Sequence, residues 1–298
     1  MKRAMLLHNP DAGDEEHDQE ELVGIIEKHG FACDYASVKE EAWKALDFDA
    51  DFLVVAGGDG TVRKVIKALV NRKMLDKTWP IALLPYGTAN NIAKTLNLYD
   101  DIETLVRSWH QPTLKPFDVG RMSHIEESDF FLESLGFGIF PYLMKEMKKR
   151  KNVEAETPEE KIIAALKLLH EIILSYEPRN CHLVVDGKDH SGKYILAEIM
   201  NTQSFGPNLF LAPEADPGDG LLEIVLISDK DKDLFAQYII SKIKGNTHSY
   251  AFSKLQGKEV TVGWDGKHVH VDDEVFKPEE GEEIQIELKK GLLEFLVP

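Results

Sequence analysis

Cysteine is nearly missing from this chain of 298 residues: there are two, Cys33 and Cys181. Two thiols cannot supply a disulfide framework or a four-thiolate zinc site, and their scarcity suits a reducing compartment. Long apolar runs are missing as well. The greasiest stretch, 162–176, is interrupted by Lys167, His170 and Glu171, so it falls short of the unbroken span a bilayer needs. The opening MKRAMLLHNP has too short an apolar core for a secretion signal. Basic charge is scarce: 35 Lys and Arg face 52 Asp and Glu, a net charge of −17. A chain this acidic is ill suited to gripping a nucleic-acid backbone, where affinity comes from neutralising phosphates, and no nucleic-acid partner is expected. An anionic leaflet repels it on average. The expected location is cytoplasmic, with at most a peripheral contact at a membrane surface. What the chain does have is an ordinary globular mixture, 43% hydrophobic and 29% charged, and enough length for two domains.

The first 120 residues alternate two periodicities. Apolar runs of strand length occur at 4–8, 31–36, 52–56, 81–84 and 117–119. Between them, Val62, Val65, Ile66, Leu69 and Val70 fall on one helical face, and Ile102, Leu105, Val106 and Trp109 repeat the spacing. Leu22, Ile25 and Ile26 mark an earlier helix closed by Gly30. Such alternation predicts a parallel sheet covered on both faces, with ligands at the carboxyl ends of its strands. The second half predicts strands at 130–135, 181–185, 194–200, 221–227, 259–262, 268–271, 284–288 and 292–296. Turn signals such as Asp186-Gly187 and Lys290-Gly291 separate several of these, and helices are predicted over 158–176 and 231–244. The expected architecture is an α/β domain over 1–122 and an antiparallel β-rich domain with inserted helices over 123–298, the last strand free to return to the first domain.

The most informative segment is FLVVAGGDGTV, where a buried strand runs into Gly57, Gly58 and Gly60 and then into an amphipathic helix. Glycines let a backbone turn tightly and approach a ligand without a Cβ in the way, and the amides opening the next helix favour an anion. Asp59 opposes a phosphate unless a magnesium ion or a reacting hydroxyl stands between them; a plain turn with an Asp or Thr cap requires neither three glycines nor that carboxylate. The dinucleotide fingerprint is excluded, because Arg63 stands where its third glycine belongs. A second bend, Leu84-Pro85-Tyr86-Gly87-Thr88-Ala89-Asn90-Asn91, follows the next strand, and a third, Asn9-Pro10-Asp11-Ala12-Gly13, ends the first. Three bends on one sheet edge are expected to converge on a single ligand.

These three segments together resemble the diacylglycerol kinase catalytic-domain family, which includes bacterial soluble lipid kinases and sphingosine kinases. The resemblance continues through Asp118-Val119-Gly120, through Ala212-Pro213-x-Ala215 with Gly218-Asp219-Gly220-Leu221, and through Asp272-Asp273-Glu274 to the terminal Val-Pro. It implies a Rossmann-like nucleotide-binding domain of the NAD kinase and phosphofructokinase type, followed by an antiparallel β-sandwich domain. It also implies transfer of the ATP γ-phosphate to the hydroxyl of a diacylglycerol-like or sphingoid lipid, with magnesium.

Residue by residue, the resemblance places the phosphates on Gly57, Gly58, Asp59, Gly60, Thr61, Val62 and Arg63, with Asn9, Gly13, Ser37, Gly87, Thr88 and Asn90 around the nucleotide. It gives Glu274 the part of proton acceptor and leaves Asp59 as the competing carboxylate. Asp59 and Asp118 would hold magnesium, partly through water; Asp219, with carbonyls near Asp216 and Leu221, matches a second, structural magnesium site. Two departures stand out: Asn91 replaces an aspartate common in bacterial members, and Asp273 replaces the glycine of the late motif. If the latter position requires positive φ, Asp tolerates it better than most residues.

Other signals read more plainly. The segment 187–194 fails as a Walker loop at Tyr194 and reads as a hairpin turn. Asp229, Asp231 and Asp233 lack the glycine and terminal glutamate of a calcium loop and read as a charged helix start. His268, His270 and Asp272 alternate along one strand face, read as solvated. FPYLMKEMKKRK carries Lys145, Lys148, Lys149, Arg150 and Lys151; it reads equally as a lipid-facing patch or as a helix end whose cations complement the dipole. Two other functions remain open: an NAD kinase-like enzyme with a soluble acceptor, for which Asn90-Asn91 offers amides in place of an acidic pair, and a nucleotide or lipid sensor without catalysis.

Overall fold

The computed structural model describes residues 1–13, 18–70, 79–150, 157–246, 250–279 and 281–298. Its contacts divide the chain into two units, Met1–Phe117 with Gly291–Pro298, and Asp118–Lys290.

In the first unit, β1 (Arg3–His8), β2 (Ala32–Ser37), β3 (Phe52–Gly57) and β4 (Ile81–Pro85) form a sheet in the order β4-β3-β1-β2, every pair parallel. Leu6, Leu7, Leu53, Val54, Val55 and Leu84 are fully or almost fully buried, which is why these strands read as unbroken apolar runs. Helices α1 (Gln19–Lys28), α2 (Asp59–Val70), α3 (Asn91–Thr95) and α4 (Ile102–Ser108) separate the strands. The α1 cap is Asp18, whose side chain accepts the Glu20 N–H, and Gly30 follows the helix at φ 83°. Because the strands run in parallel, His8, Ser37, Gly57 and Pro85 all lie at one sheet edge.

The chain passes out of this unit along β5 (Thr113–Met122). In the second unit follow β6 (Phe130–Phe131), β7 (Ser134–Gly138), α5 (Ile139–Lys149), α6 (Pro158–Ser175), β8 (Arg179–Val185), β9 (Lys188–Asp189), β10 (Gly192–Met200), β11 (Leu222–Ser228), α7 (Lys232–Ile243), β12 (Ser253–Gly257), β13 (Glu259–Trp264), β14 (Val269–Val271) and β15 (Glu274–Phe276). Pairing there is antiparallel, including β10 with β7, β8 and β11, and β14 with β7 and β15. Two cores are built on alternating side chains. On β11, Leu222, Ile224 and Leu226 enter a core among strands, whereas Val225 and Ile227 enter one shared with α5, α6 and α7.

Three of the predicted strands differ from the structure. The runs at 284–288 and 292–296 are one strand, β16 (Ile284–Val297), and Lys290-Gly291 is no turn: Gly291 sits inside it at φ 59°. The run at 130–135 breaks instead, because the N–H groups of Leu132, Glu133 and Ser134 donate to the Asp272 carboxylate.

Candidate active site

In the first unit the three bends meet. A Cβ on Gly13 would come within 2.6 Å of the Tyr86 carbonyl oxygen, and one on Gly58 within 2.8 Å of the Gly87 Cα. A Cβ on Gly87 would collide with the Gly58 Cα in turn. Backbone therefore touches backbone at two places, and glycine alone permits it. Side chains add further ties. Asn9 donates from its amide to Thr61 Oγ1 at 3.1 Å, and its backbone N–H donates to the Ala56 carbonyl at 2.9 Å. Asn90, at φ 52°, folds its side chain back on its own bend, accepting the Gly87 N–H at 2.8 Å and donating to the Gly87 carbonyl at 2.6 Å.

Asp59 ties the first helix opening to the second. Its carboxylate accepts the N–H groups of Asn91 at 2.8 Å and Ile92 at 3.0 Å, so it caps α3 from another loop while Asn90 leaves that cap unfilled. Sequence reasoning had no signal for this, since a cap is sought next to its own helix. Asn91 is buried against that carboxylate; an aspartate there would set a second negative charge beside Asp59, which the amide avoids. Thr61 and Arg63 are buried in the first turns of α2, Thr88 is exposed, and Ser37 closes β2 with its hydroxyl accepting the Lys39 N–H at 3.3 Å. Tyr86 stays a neutral phenol, its pKa pushed up to about 12 by burial and by Glu21.

In the second unit, Asp118 is wholly buried and accepts the Gly220 N–H at 2.7 Å, which brings it to the turn carrying Asp216, Asp219 and Leu221. That turn closes on itself: Asp216 accepts the Gly218 N–H at 2.9 Å and Asp219 accepts the Leu221 N–H at 2.8 Å. The Lys290 ammonium donates to the Asp219 carbonyl at 3.1 Å. Among the described residues no group of three His, Cys, Asp or Glu is arranged to hold a metal ion. Magnesium carried on a nucleotide needs no such cage, because phosphates and waters supply most of its ligands and one or two carboxylates suffice.

Glu274 opens β15, is exposed, and pairs across the hairpin with Val271. The positive φ of the late motif falls on Asp272, at 51°, and not on Asp273, so the missing glycine leaves no strained position behind it. Beside this hairpin lies a cavity of about 790 Å³ within the unit, with Ile125, Val275, Phe276, Lys145 and Lys277 among its walls.

The plainer motifs resolve as follows. The segment 187–194 is the connection of a hairpin, β8 with β9 and β10. Asp229–Asp231 is a short turn in which Ser228 and Asp231 cap one another ahead of α7. The strand face of His270 and Asp272, expected to be solvated, is buried instead, His270 at 0% exposure. On α5, Lys145 contacts His268, Lys149 pairs with Glu146 at 2.5 Å and Arg150 with Glu171 at 3.7 Å; Lys151 lies outside the described residues.

The first unit is thus a parallel sheet with interlocked glycine bends at its carboxyl edge. Residues 3–122 match the family model described as the diacylglycerol kinase catalytic domain, and residues 150–287 match the YegS C-terminal NAD kinase beta sandwich-like domain. The first match assigns residues 3–122 to the diacylglycerol kinase catalytic domain, and the chain is a kinase. It is 24% identical to the diacylglycerol kinase of Bacillus subtilis (strain 168) over 88% of this chain and 86% of that protein. It is 27% identical to the protein named "Probable lipid kinase YegS-like" from Cronobacter sakazakii over 70% of this chain and 65% of the relative. The crystal structure of a diacylglycerol kinase from Bacillus anthracis shares the fold, with a TM-score of 0.74 at 21% identity over 100% of this chain and 97% of that one. No described helix is long and apolar enough to cross a membrane.

Proposed function

We propose that this enzyme transfers the γ-phosphate of ATP to the hydroxyl of a diacylglycerol-like or sphingoid lipid. The observation that carries the reading is the interlock of the three bends: Gly58 against Gly87 and Gly13 against Tyr86 build one rim from backbone, at the strand ends where an α/β sheet takes its ligand. The amides opening α2 favour the triphosphate there, with Asn9, Ser37, Thr88 and Asn90 around it. Magnesium bound with the nucleotide neutralises phosphate charge, and Asp59 and Asp118 are the carboxylates we assign to it. Asp59 already accepts two N–H groups, yet a carboxylate has room for more. Phosphoryl transfer is mostly positioning and charge neutralisation.

Glu274, exposed on its turn, is the residue we assign as proton acceptor from the lipid hydroxyl, because magnesium would occupy Asp59. The cavity beside β15 is the space in that unit we assign to the acceptor. The enzyme works in the cytoplasm and meets the membrane transiently through the basic end of α5, where Lys148, Lys149 and Arg150 are exposed. The test is a panel of diacylglycerol, sphingosine and NAD offered with radiolabelled ATP and magnesium. A lipid is expected to take up label, and Glu274→Gln is expected to lower kcat about 10²–10⁴-fold, the range of a lost general base. Label appearing in NAD alone, or full turnover by Glu274→Gln, would refute the respective assignment.

A further inference from the structure

The second unit buries an ion pair for which transfer of phosphate assigns no part. Glu198 on β10 and His270 on β14 are both 0% exposed, with Oε1 and Nε2 2.7 Å apart. The other ring nitrogen, Nδ1, lies 3.0 Å from the Asp272 carbonyl oxygen. That carbonyl can only accept, so Nδ1 donates to it, and Nε2 is left facing the carboxylate. Burial alone would drive the imidazole neutral, but the Glu198 charge and hydrogen bond outweigh it and the pKa moves up. At 2.7 Å, Nε2 and Glu198 Oε1 share a proton, so both ring nitrogens are hydrogen-bonded.

Its surroundings leave it one position. Phe205 stacks on it with centroids 5.7 Å apart, and Phe140 of α5 meets it edge-on at 4.6 Å. On β7, Gly136 makes room for the pair: a Cβ there would lie 2.8 Å from His270 Nε2 and collide with the Glu198 carboxylate. Glu198 Oε2 has no partner among the described residues. A buried ion pair is a poor way to gain stability compared with apolar packing, so its presence calls for another consequence.

That consequence lies two residues downstream. His270 holds the carbonyl of Asp272, while the Asp272 carboxylate holds the N–H groups of Leu132, Glu133 and Ser134 at 2.8–3.2 Å. Asp272 is thus fixed from both ends at φ 51°, and the chain it launches is Asp273 and Glu274. We propose that Glu198 and His270 are positioning residues for Glu274, the buried pair setting the turn on which the proton acceptor stands without touching the substrate. This rests on the assignment of Glu274 above. A base displaced by a fraction of an ångström loses its near-attack geometry but leaves nucleotide binding unchanged.

The test uses the full chain and the acceptor that the panel identifies. Glu198→Gln keeps the shape and releases the charge. It is expected to lower kcat about tenfold or more while the KM for ATP moves less than about twofold. His270→Gln is expected to do the same, and the double variant to lose no more than the worse single one, because either change breaks the same strut. Unaltered kcat in folded Glu198→Gln, or losses that multiply, would overturn the proposal. Glu274→Gln measured alongside separates the two claims: if it stays active, the base assignment fails and this inference with it; if it is dead while Glu198→Gln is fully active, only this inference fails. Should the Glu198 variant not fold, nitrogen-15 NMR of the wild type decides at neutral pH: a protonated Nδ1 at His270 supports the strut, and a bare Nδ1 excludes it.

Discussion

The two units solve the same problem with opposite materials. The first shapes its site out of backbone: Gly13, Gly58 and Gly87 allow three bends to touch, and the side chains that matter, Asn9, Asp59 and Asn90, tie main chain to main chain. The second shapes its site out of buried side chains: Asp118 holds Gly220, Asp272 holds three amides, and His270 with Glu198 holds Asp272. The difference teaches where each is vulnerable. A backbone-built rim fails when a methyl group is added, and a side-chain-built turn fails when a charge is removed.

The largest effect is therefore expected from one carbon atom. Gly87→Ala forces apart two bends that are already in contact, and overpacking of this kind costs about 1–3 kcal/mol. A lower melting temperature together with loss of nucleotide binding is expected; unchanged values of both would break the comparison on the first unit's side. A second effect, of intermediate size, belongs to the second unit. His270 has a folded pKa above the ordinary histidine value of 6.5, so the pair's contribution to stability is fully present below that value and is lost as pH rises through the raised one. The wild-type melting temperature should fall over that rise, and His270→Gln should flatten the fall; equal slopes in the two proteins would show that the pair is not what titrates. The smallest effect lies at the surface. Reversing Lys148, Lys149 and Arg150 should weaken sedimentation with phosphatidylglycerol vesicles. Unchanged sedimentation would remove α5 from any membrane contact and leave its lysines as a helix-end charge pattern.

Much of the first unit was legible before folding. Its strands are buried on both faces, so each apolar run announces itself, and the glycine bends fall where those runs end. What stayed hidden was the way the bends are tied. Asp59 caps a helix 32 residues further along, and no local pattern marks a cap that arrives from elsewhere. The second unit was less legible for the same reason on a larger scale. Asp272 takes backbone N–H groups about 140 residues away, breaking a strand at Leu132 that the apolar pattern 130–135 carried straight through. His270 alternates with His268 in sequence, which suggests a wet face; only the arrival of β7 and β10 with Gly136 and Glu198 makes that face dry. Lys290-Gly291 looked like a turn because glycine there does adopt positive φ, yet the strand bends and continues through it. For Asp272 and His270 the partner that decides the residue's meaning came from far away in the chain.

The interlocked rim is the claim on which the rest depends, and calorimetric titration of ATP with magnesium tests it most directly. Saturable binding is predicted for the wild type and for Glu274→Gln, with Gly87→Ala showing none. Absence of heat in the wild type, or undiminished binding by folded Gly87→Ala, would contradict the account.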